Sequence, residues 1–508
     1  MKIASSKKIV VFLTFVASSM PFIASTELIE GISYLKVFIA LMCVLPFIPY
    51  ILKRIFEDKS GNTIWILTVS LLLCIVLIVI LIPHDYRGVF GAPGRNNGLL
   101  SILLYICFTL FGIYVYIKDA ILIILTGLIL SSFFTCLASN LILFFPEMSL
   151  FPALNFSSSQ FRDNVDNIAP LVSMAFVASL ILFVKTKNLI YLILQLPAAY
   201  FVIRWNLIQP IVTLAISISL MAFVKKYSNS RLFAWSPLLI LSGYILSLGV
   251  IPLTPLVNDS SVEERLKMVT YAKEIWRDFS LFPIHIDALS DFSSSFIALT
   301  PRAYLDDFHN VYLQLIFSFG LVIGVAIITL LVMPFLLQSK QLDKTSFIFP
   351  IYLNFFVALF FAIASLNFML FGFILIGYLL GGTLSDCRSQ IKSMKFKKQS
   401  DFVIYLATAL IVTVQIQDFV KRVDISTTII SYSNESADKR YFEDLVSKVY
   451  GMPDAQYKYQ VSRNFYAIGV CDYGDRVLRQ LVTINPREVR ISQLEGFKKS
   501  CESMRLGD

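Results

Sequence analysis

Charge is scarce in this chain: only 15% of its 508 residues are Asp, Glu, Lys or Arg, against about a quarter in an ordinary soluble domain. That scarcity excludes a single water-soluble globule. Hydrophobic residues at 57% and a mean hydropathy of +0.73 point the same way. Histidine is rarer still, occurring only as His84, His285 and His309. No CxxC pair, HExxH or other metal-spaced cluster is present, so no metal and no cofactor is expected. Four of the seven cysteines (Cys43, Cys74, Cys107 and Cys136) sit in apolar runs, and Cys387 lies in a loop. Cys471 and Cys501 share the C-terminal tail, where an oxidising compartment would allow a disulfide. The formal charge of +9 has no soluble basic face to sit on, which leaves nucleic acid without support as a partner.

What is abundant is the long apolar run. Trp65 to Ile82 and Ile168 to Val184 are long enough to cross a hydrocarbon core of about 30 Å. Such runs must be helical, because lipid offers no partner to an open backbone N–H or C=O. The first run, 9–25, follows Lys2, Lys7 and Lys8 and reads as an uncleaved span. Further spans are expected near 37–52, 63–82, 99–117, 120–145, 168–184, 188–203, 206–224, 232–250, 310–337, 346–365, 367–384 and 402–417. The expected architecture is an all-α polytopic membrane bundle of about thirteen spans. With the N-terminus inside, nineteen Lys and Arg fall on cytoplasmic segments and five on short outer loops. That bias sets the orientation.

The membrane core covers 1–417, with one large outer loop at 251–309. Within that loop "EERLKMVTYAKEIWRDF" has Leu266, Val269, Ala272, Ile275 and Trp276 at helical spacing, as a lid helix on the bilayer surface would. The tail, 425–508, reads as a small helical domain outside the membrane. Its apolar stripes run through Tyr441, Phe442, Leu445, Val446, Val449 and Tyr450, then Phe465, Ile468 and Val470, then Val477, Leu478, Leu481 and Val482. A single degenerate tetratricopeptide-like unit and a generic helical hairpin both fit.

No Lys, Arg, Asp or Glu falls inside an expected span, so the buried ionisable groups common in coupled transporters are missing. Charge gathers at the outer face instead. Arg95 lies in the turn "GAPGRNNGLL", Arg204 in the short turn "FVIRWNLIQP", Arg265 at the start of the lid helix, and His309 in "DDFHN". Taken singly, an interfacial arginine is as often a snorkelling anchor, and a histidine beside Asp and Asn at a helix start is more often a cap. Taken together they suit a phosphorylated lipid: guanidinium groups bind phosphate oxygens bidentately, and a histidine near neutrality can orient or activate a hydroxyl.

Over about 90–385 the sequence resembles the O-antigen ligase and polymerase family of membrane glycosyltransferases. "HNVYLQLIFSFGLVIG" is similar to the family's His-Asn-x-Tyr-Leu-Gln signature followed by Gly-Leu-x-Gly, directly after the large outer loop. "RLKMVTYAKEIWRDFSLFPI" resembles its arginine-led amphipathic helix, "IRWNLIQPIVTLAISI" its Ser-Arg-Gly-type turn, and "GAPGRNNGLL" its glycine-arginine turn. The resemblance implies a glycosyltransferase-C-like bundle in the bacterial inner membrane. It further implies an inverting, metal-independent transferase that takes glycan from an undecaprenyl-diphosphate donor at the periplasmic face. Arg204 and Arg265 would hold the diphosphate and Arg95 would assist. His309 would engage the acceptor hydroxyl of lipid A-core or of another glycan, with Asn310 and Gln314 in support. Ligase, polymerase and protein-glycosylating transferase all remain open. A transporter or flippase of lipid-linked sugars is the rival from another class, expected to show inverted repeats and broken helices, and a non-catalytic assembly scaffold is a third.

Overall fold

The computed structural model describes residues 3–22, 33–57, 99–144, 165–205, 207–227, 230–250, 266–270, 272, 310–338, 347–361, 365–385, 413, 416, 417, 420, 423, 439–450, 455–467, 469–484 and 490–506. Among the described residues the regular structure is helical, with no strand. The apolar part contains α1 (Ile3–Ser19), α2 (Ser33–Val44), a 3-10 turn (Leu45–Phe47), α3 (Ile48–Glu57), α4 (Leu99–Ile117), α5 (Ile121–Phe144) and α6 (Val165–Thr186). It continues with α7 (Ile190–Ile193), α8 (Leu196–Arg204), α9 (Ile208–Tyr227), α10 (Ser230–Val250), α11 (Val311–Gln338), α12 (Phe349–Ala358) and α13 (Leu366–Ser385). Among the described residues, four stretches are long and apolar enough to cross a membrane: Lys36–Ile55, Leu100–Ile117, Ile121–Leu141 and Ile168–Thr186. The span expected at 63–82 lies outside the described residues, as does most of the large loop. Leu266 to Thr270 and Ala272 are helical, with Ala272 buried and Lys267 exposed, as an amphipathic helix requires.

With no water to drive helices together, packing in such a bundle depends on small residues and on hydroxyls that bond across the interface. The closest crossing is α4 on α13. A Cβ on Gly377 would fall on the Thr109 carbonyl oxygen, and one on Gly112 would fall on that of Ile374. Tyr105 and Phe373 then stack with centroids 4.8 Å apart. Helix α1 uses the same device on α5, where Thr14 covers Gly127, Ser18 Oγ donates to the Gly127 carbonyl at 3.0 Å and Ser131 Oγ to that of Ser18 at 2.9 Å.

Among the described residues, the expected spans at 188–203, 310–337 and 346–365 are interrupted as follows. The one at 188–203 divides into α7 and α8 at Leu194–Gln195, because Pro197 has no N–H to continue a helix and starts one instead. The one at 310–337 breaks at Gly320, whose φ of 80° and ψ of 162° only glycine adopts readily. The second leg folds back on the first, so that a Cβ on Gly324 would lie 2.7 Å from Ile316 Cα. Helix α12, within the span expected at 346–365, ends at Ala358 in tight turns in which Phe360 and Phe361 N–H donate to Val357 and Ala358 at 3.1 and 2.9 Å.

The tail forms α14 (Lys439–Tyr450), α15 (Ala455–Ala467), α16 (Cys471–Ile484) and α17 (Arg490–Leu506). Phe442, Val446 and Val449 are buried as the stripe requires, and Phe442 meets Phe465 and Tyr473 at 5.8 and 5.1 Å. Two expected stripe residues lie outside this core: Tyr450 is 73% exposed and Val482 39%. Gly469, at φ 77°, ends α15 with the left-handed cap that glycine accommodates. Cys471 and Cys501 are joined in a disulfide, with Cα atoms 5.9 Å apart and a sequence separation of 30. Closing a loop of that size restricts the unfolded tail by about 3.6 kcal/mol. The buried Lys458 finishes α14: its Nζ donates to the Val449 and Tyr450 carbonyls at 2.7 and 3.4 Å and to Gln480 Oε1 at 2.9 Å.

Asp475 ties α15 to α17, accepting from the Tyr466 hydroxyl at 2.6 Å and from Lys498 Nζ at 2.8 Å. Burial pushes its carboxyl up, but those two donors outweigh burial and hold it below 3.8. A carboxylate with a depressed folded pKa contributes stability above its unfolded value and loses it as pH falls through the folded one. Lys498, raised above 10.5 by its bond to Asp475, contributes fully below that value and loses it as pH rises through the folded one. Protection of α15–α17 against hydrogen exchange, corrected for intrinsic rates, is therefore expected to hold from about pH 5 to 10 and to fall at both ends. Asp475→Asn should remove the acid-side fall; an unchanged acid limb would show that another group carries it.

Candidate membrane-embedded site

Of the residues singled out in the sequence, Arg204, Asn310 and Gln314 lie among the described residues, while His309, Arg265 and Arg95 lie outside them. Asn310 is 3% exposed and opens the first leg of α11. Its Oδ1 accepts from the Leu313 N–H at 3.1 Å, an N-cap that satisfies one of the orphan donors of the helix start. Its Nδ2 donates to the Tyr244 hydroxyl of α10 at 3.0 Å. The next N–H, of Val311, donates to the Leu359 carbonyl at the end of α12 at 2.9 Å, and the Tyr312 hydroxyl donates to Phe356 O at 2.9 Å. The rings of Tyr244 and Tyr312 pack on Phe360 at 4.9 and 4.5 Å. Gln314, buried, follows one turn on, its N–H donating to the Asn310 carbonyl at 2.9 Å. The start of α11 is thus fixed to α10 and α12 by both backbone and side chains.

Arg204 is the last residue of α8 and is exposed, beside an Ile203 that is 79% exposed. The inner face of α8 (Ala198, Phe201 and Val202) packs on Cys136 of α5 and on Ile168 and Val172 of α6. Helix α6 also packs on α12, the helix whose end accepts from the Val311 N–H next to the Asn310 cap.

The amides of the spans, which carry no charge for a sequence pattern to flag, supply part of the buried polarity. Asn354, fully buried on α12, accepts from Ser173 Oγ of α6 at 2.9 Å and donates from Nδ2 to Ser217 Oγ of α9 at 3.2 Å. Ser217 Oγ in turn donates to the Thr213 carbonyl at 2.6 Å. Tyr244, the partner of Asn310, was missed as well; no spacing rule links residues 66 apart. Asn140 Nδ2 donates to the Pro197 carbonyl at 3.0 Å, covering the α7–α8 break.

Gln195, at that break, is 3% exposed, and neither its Oε1 nor its Nε2 has a partner among the described residues. Desolvating an amide without a hydrogen bond costs roughly 1–3 kcal/mol. Gln195→Leu is therefore expected to stabilise the purified protein by about that amount, read as a higher melting temperature in detergent. A lower one would show that the amide is bonded in the folded protein.

Among the described residues no group of His, Cys, Asp or Glu could hold a metal ion. The cap contributes amides and phenols, which orient and hydrogen-bond; proton transfer at this place calls for a titratable neighbour. The helices define a helical membrane protein. No family model matches the chain, and no curated protein or solved structure matches it.

Proposed function

We propose that this protein is a glycosyltransferase of the O-antigen ligase and polymerase kind, moving glycan from a polyprenyl-diphosphate donor to an acceptor hydroxyl. In this reading it sits in the bacterial inner membrane with its N-terminus cytoplasmic and its tail periplasmic. Undecaprenyl diphosphate carries the donor, and lipid A-core or a second glycan accepts it. The observation that carries the reading is the Asn310 cap. The residue that follows His309 is held by bonds to Tyr244, Leu313 and Gln314. Such rigidity beside a reacting group is what positions a general base within reach of its proton. His309 takes or orients the acceptor proton, while Arg204 and Arg265 neutralise charge building on the departing diphosphate. The tail disulfide agrees with an oxidising periplasm.

A second reading, a transporter of lipid-linked sugar, is favoured by the interruptions at Gly320 and between α7 and α8, since discontinuous helices commonly line transport sites. Substitution separates the two. His309→Ala, Arg204→Ala and Arg265→Ala, expressed in a deletion host, should abolish finished surface glycan while lipid-linked donor accumulates at the outer face. A general base contributes about 10²–10⁴-fold, so His309→Ala should reduce in vitro transfer by at least 100-fold. Normal surface glycan from all three variants at normal protein level would sink the transferase reading. Donor trapped at the inner face would favour the transporter. Long glycan left on the carrier marks a ligase, and single repeat units mark a polymerase.

A further inference from the structure

The tail contains a cleft of about 470 Å³ between α14 and α16. Glu443, Ser447 and Tyr450 of α14 form one wall, Arg476, Arg479 and Gln480 of α16 the other, and the buried Val446 lies at its base. These positions recur at three and four residues, so each wall is one helix face. Across the cleft Arg476 Nη1 donates to Glu443 Oε1 at 2.6 Å, and the guanidinium also lies 5.6 Å from the Tyr473 ring centroid. Glu443 is held below its ordinary value by that bond, and Arg476 above its own. Gln480 spends its amide oxygen on Lys458, which leaves the N–H₂ end as what it can offer. Tyr450, one of the apolar stripe residues that should have been buried, stands 73% exposed at this cleft.

We propose that this cleft binds a pyranose chain, so that the tail holds glycan for the membrane site. A volume of this size suits a small ligand of one or two rings. Paired carboxylate and guanidinium groups favour hydroxyls, which accept from one and donate to the other. A phosphate would meet Glu443 as a like charge and would have to compete with it for Arg476, with Arg479 as the other cation of the lining. A peptide would need pockets for apolar side chains, and the lining offers only Val446, itself buried. The exposed phenol supplies what the polar walls lack: its electron-rich face receives the C–H face of a sugar ring. Because Arg476 and Glu443 are already paired, the site is preorganised and loses little entropy on binding. Tyr450 is placed here by Lys458, which bonds the carbonyl of Tyr450 itself.

The choice of glycan as the ligand rests on the glycosyltransferase reading; the experiment separates the two. Full-length protein in lipid nanodiscs would be titrated calorimetrically with oligosaccharide released by mild acid from the producing cell's own surface glycan. Wild type and His309→Ala are expected to bind alike, whereas Tyr450→Ala should weaken binding about tenfold and Tyr450→Phe should retain it. Arg476→Ala should weaken binding by a similar factor. Tyr450 is exposed, so its removal should leave the melting temperature unchanged. Binding that is absent in wild type, or equal in wild type, Tyr450→Ala and Arg476→Ala, overturns the cleft. A transferase assay on the same samples reads the membrane site independently: inactive wild type with intact Tyr450-dependent binding fails that reading and leaves the cleft standing.

Discussion

Gly377→Val is expected to stop the membrane core from assembling, with the protein lost from the membrane fraction or recovered only as aggregate. The reason is backbone against backbone. The added Cβ would occupy the position of the Thr109 carbonyl oxygen, and Gly112 Cα lies 3.0 Å away on the same helix. Flexible side chains can rotate aside, but α4 and α13 can only separate along their whole crossing. Separation parts the stacked Tyr105 and Phe373 and the Tyr116–Tyr378 edge contact at 5.4 Å. A cost of more than about 4 kcal/mol follows, in the range that unfolds a marginally stable protein. Gly243→Ala on α10 is the control: nothing lies within 4 Å of the site of its Cβ, and replacing an open helical glycine stabilises by about 0.5–1 kcal/mol. Size-exclusion profiles after mild solubilisation would read both. A monodisperse Gly377→Val protein with wild-type melting would show that the crossing has room to give.

The helical membrane class was readable because it depends on composition, and composition survives without coordinates. The tail stripe was readable at Phe442, Val446 and Val449, where helical spacing and burial coincide. It failed at Tyr450, since periodicity says which residues share a face but not where the partner helix ends. The interruptions were signalled and passed over. Pro197 and Gly320 both stand inside apolar runs, each of which hydropathy alone reads as one span. A hydropathy window averages over the single residue that breaks a helix. Amides were passed over for a related reason. Asn354 and Gln195 carry no charge and barely move an average, yet in an apolar interior each must find a partner or remain unsatisfied.

Arg204 illustrates the limit of carrying a role onto a single side chain. Its position at the end of α8 and its exposure suit contact with a headgroup or a diphosphate equally. Among the described residues, Arg204's helix packs on α5 and α6, whereas the Asn310 cap is tied to α10 and α12. If both act on one donor, its diphosphate and its glycan must extend between them, and a lipid-linked glycan has that length. Arg204→Ala and Asn310→Ala would then affect different ends of the same ligand.

Gly320→Val joins the broken helix to function most directly. Valine is excluded from φ 80°, ψ 162°, a conformation that costs even tolerant residues about 1–3 kcal/mol and a β-branched one more. The chain must bear that strain or straighten α11 through the break. Straightening carries the second leg away from Leu315 and Ile316, where Gly324 now packs, and pulls the first leg from its ties. The ties at stake are Asn310 to Tyr244, Val311 to Leu359 and Tyr312 to Phe356. At about 1 kcal/mol for each hydrogen bond, straightening loses roughly 3 kcal/mol, a cost comparable with the strain it relieves. The damage is confined to one leg, so the rest of the bundle should persist as a folded species with a lower melting temperature. Transfer should fall with it, by more than 100-fold if His309 works from the end of that leg. Gly320→Ala, with a smaller penalty in the same conformation, should lie between wild type and valine on both scales. Graded loss of transfer that tracks the strain would tie catalysis to the position of the first leg. Unimpaired transfer from Gly320→Val would detach the reacting site from α11 altogether.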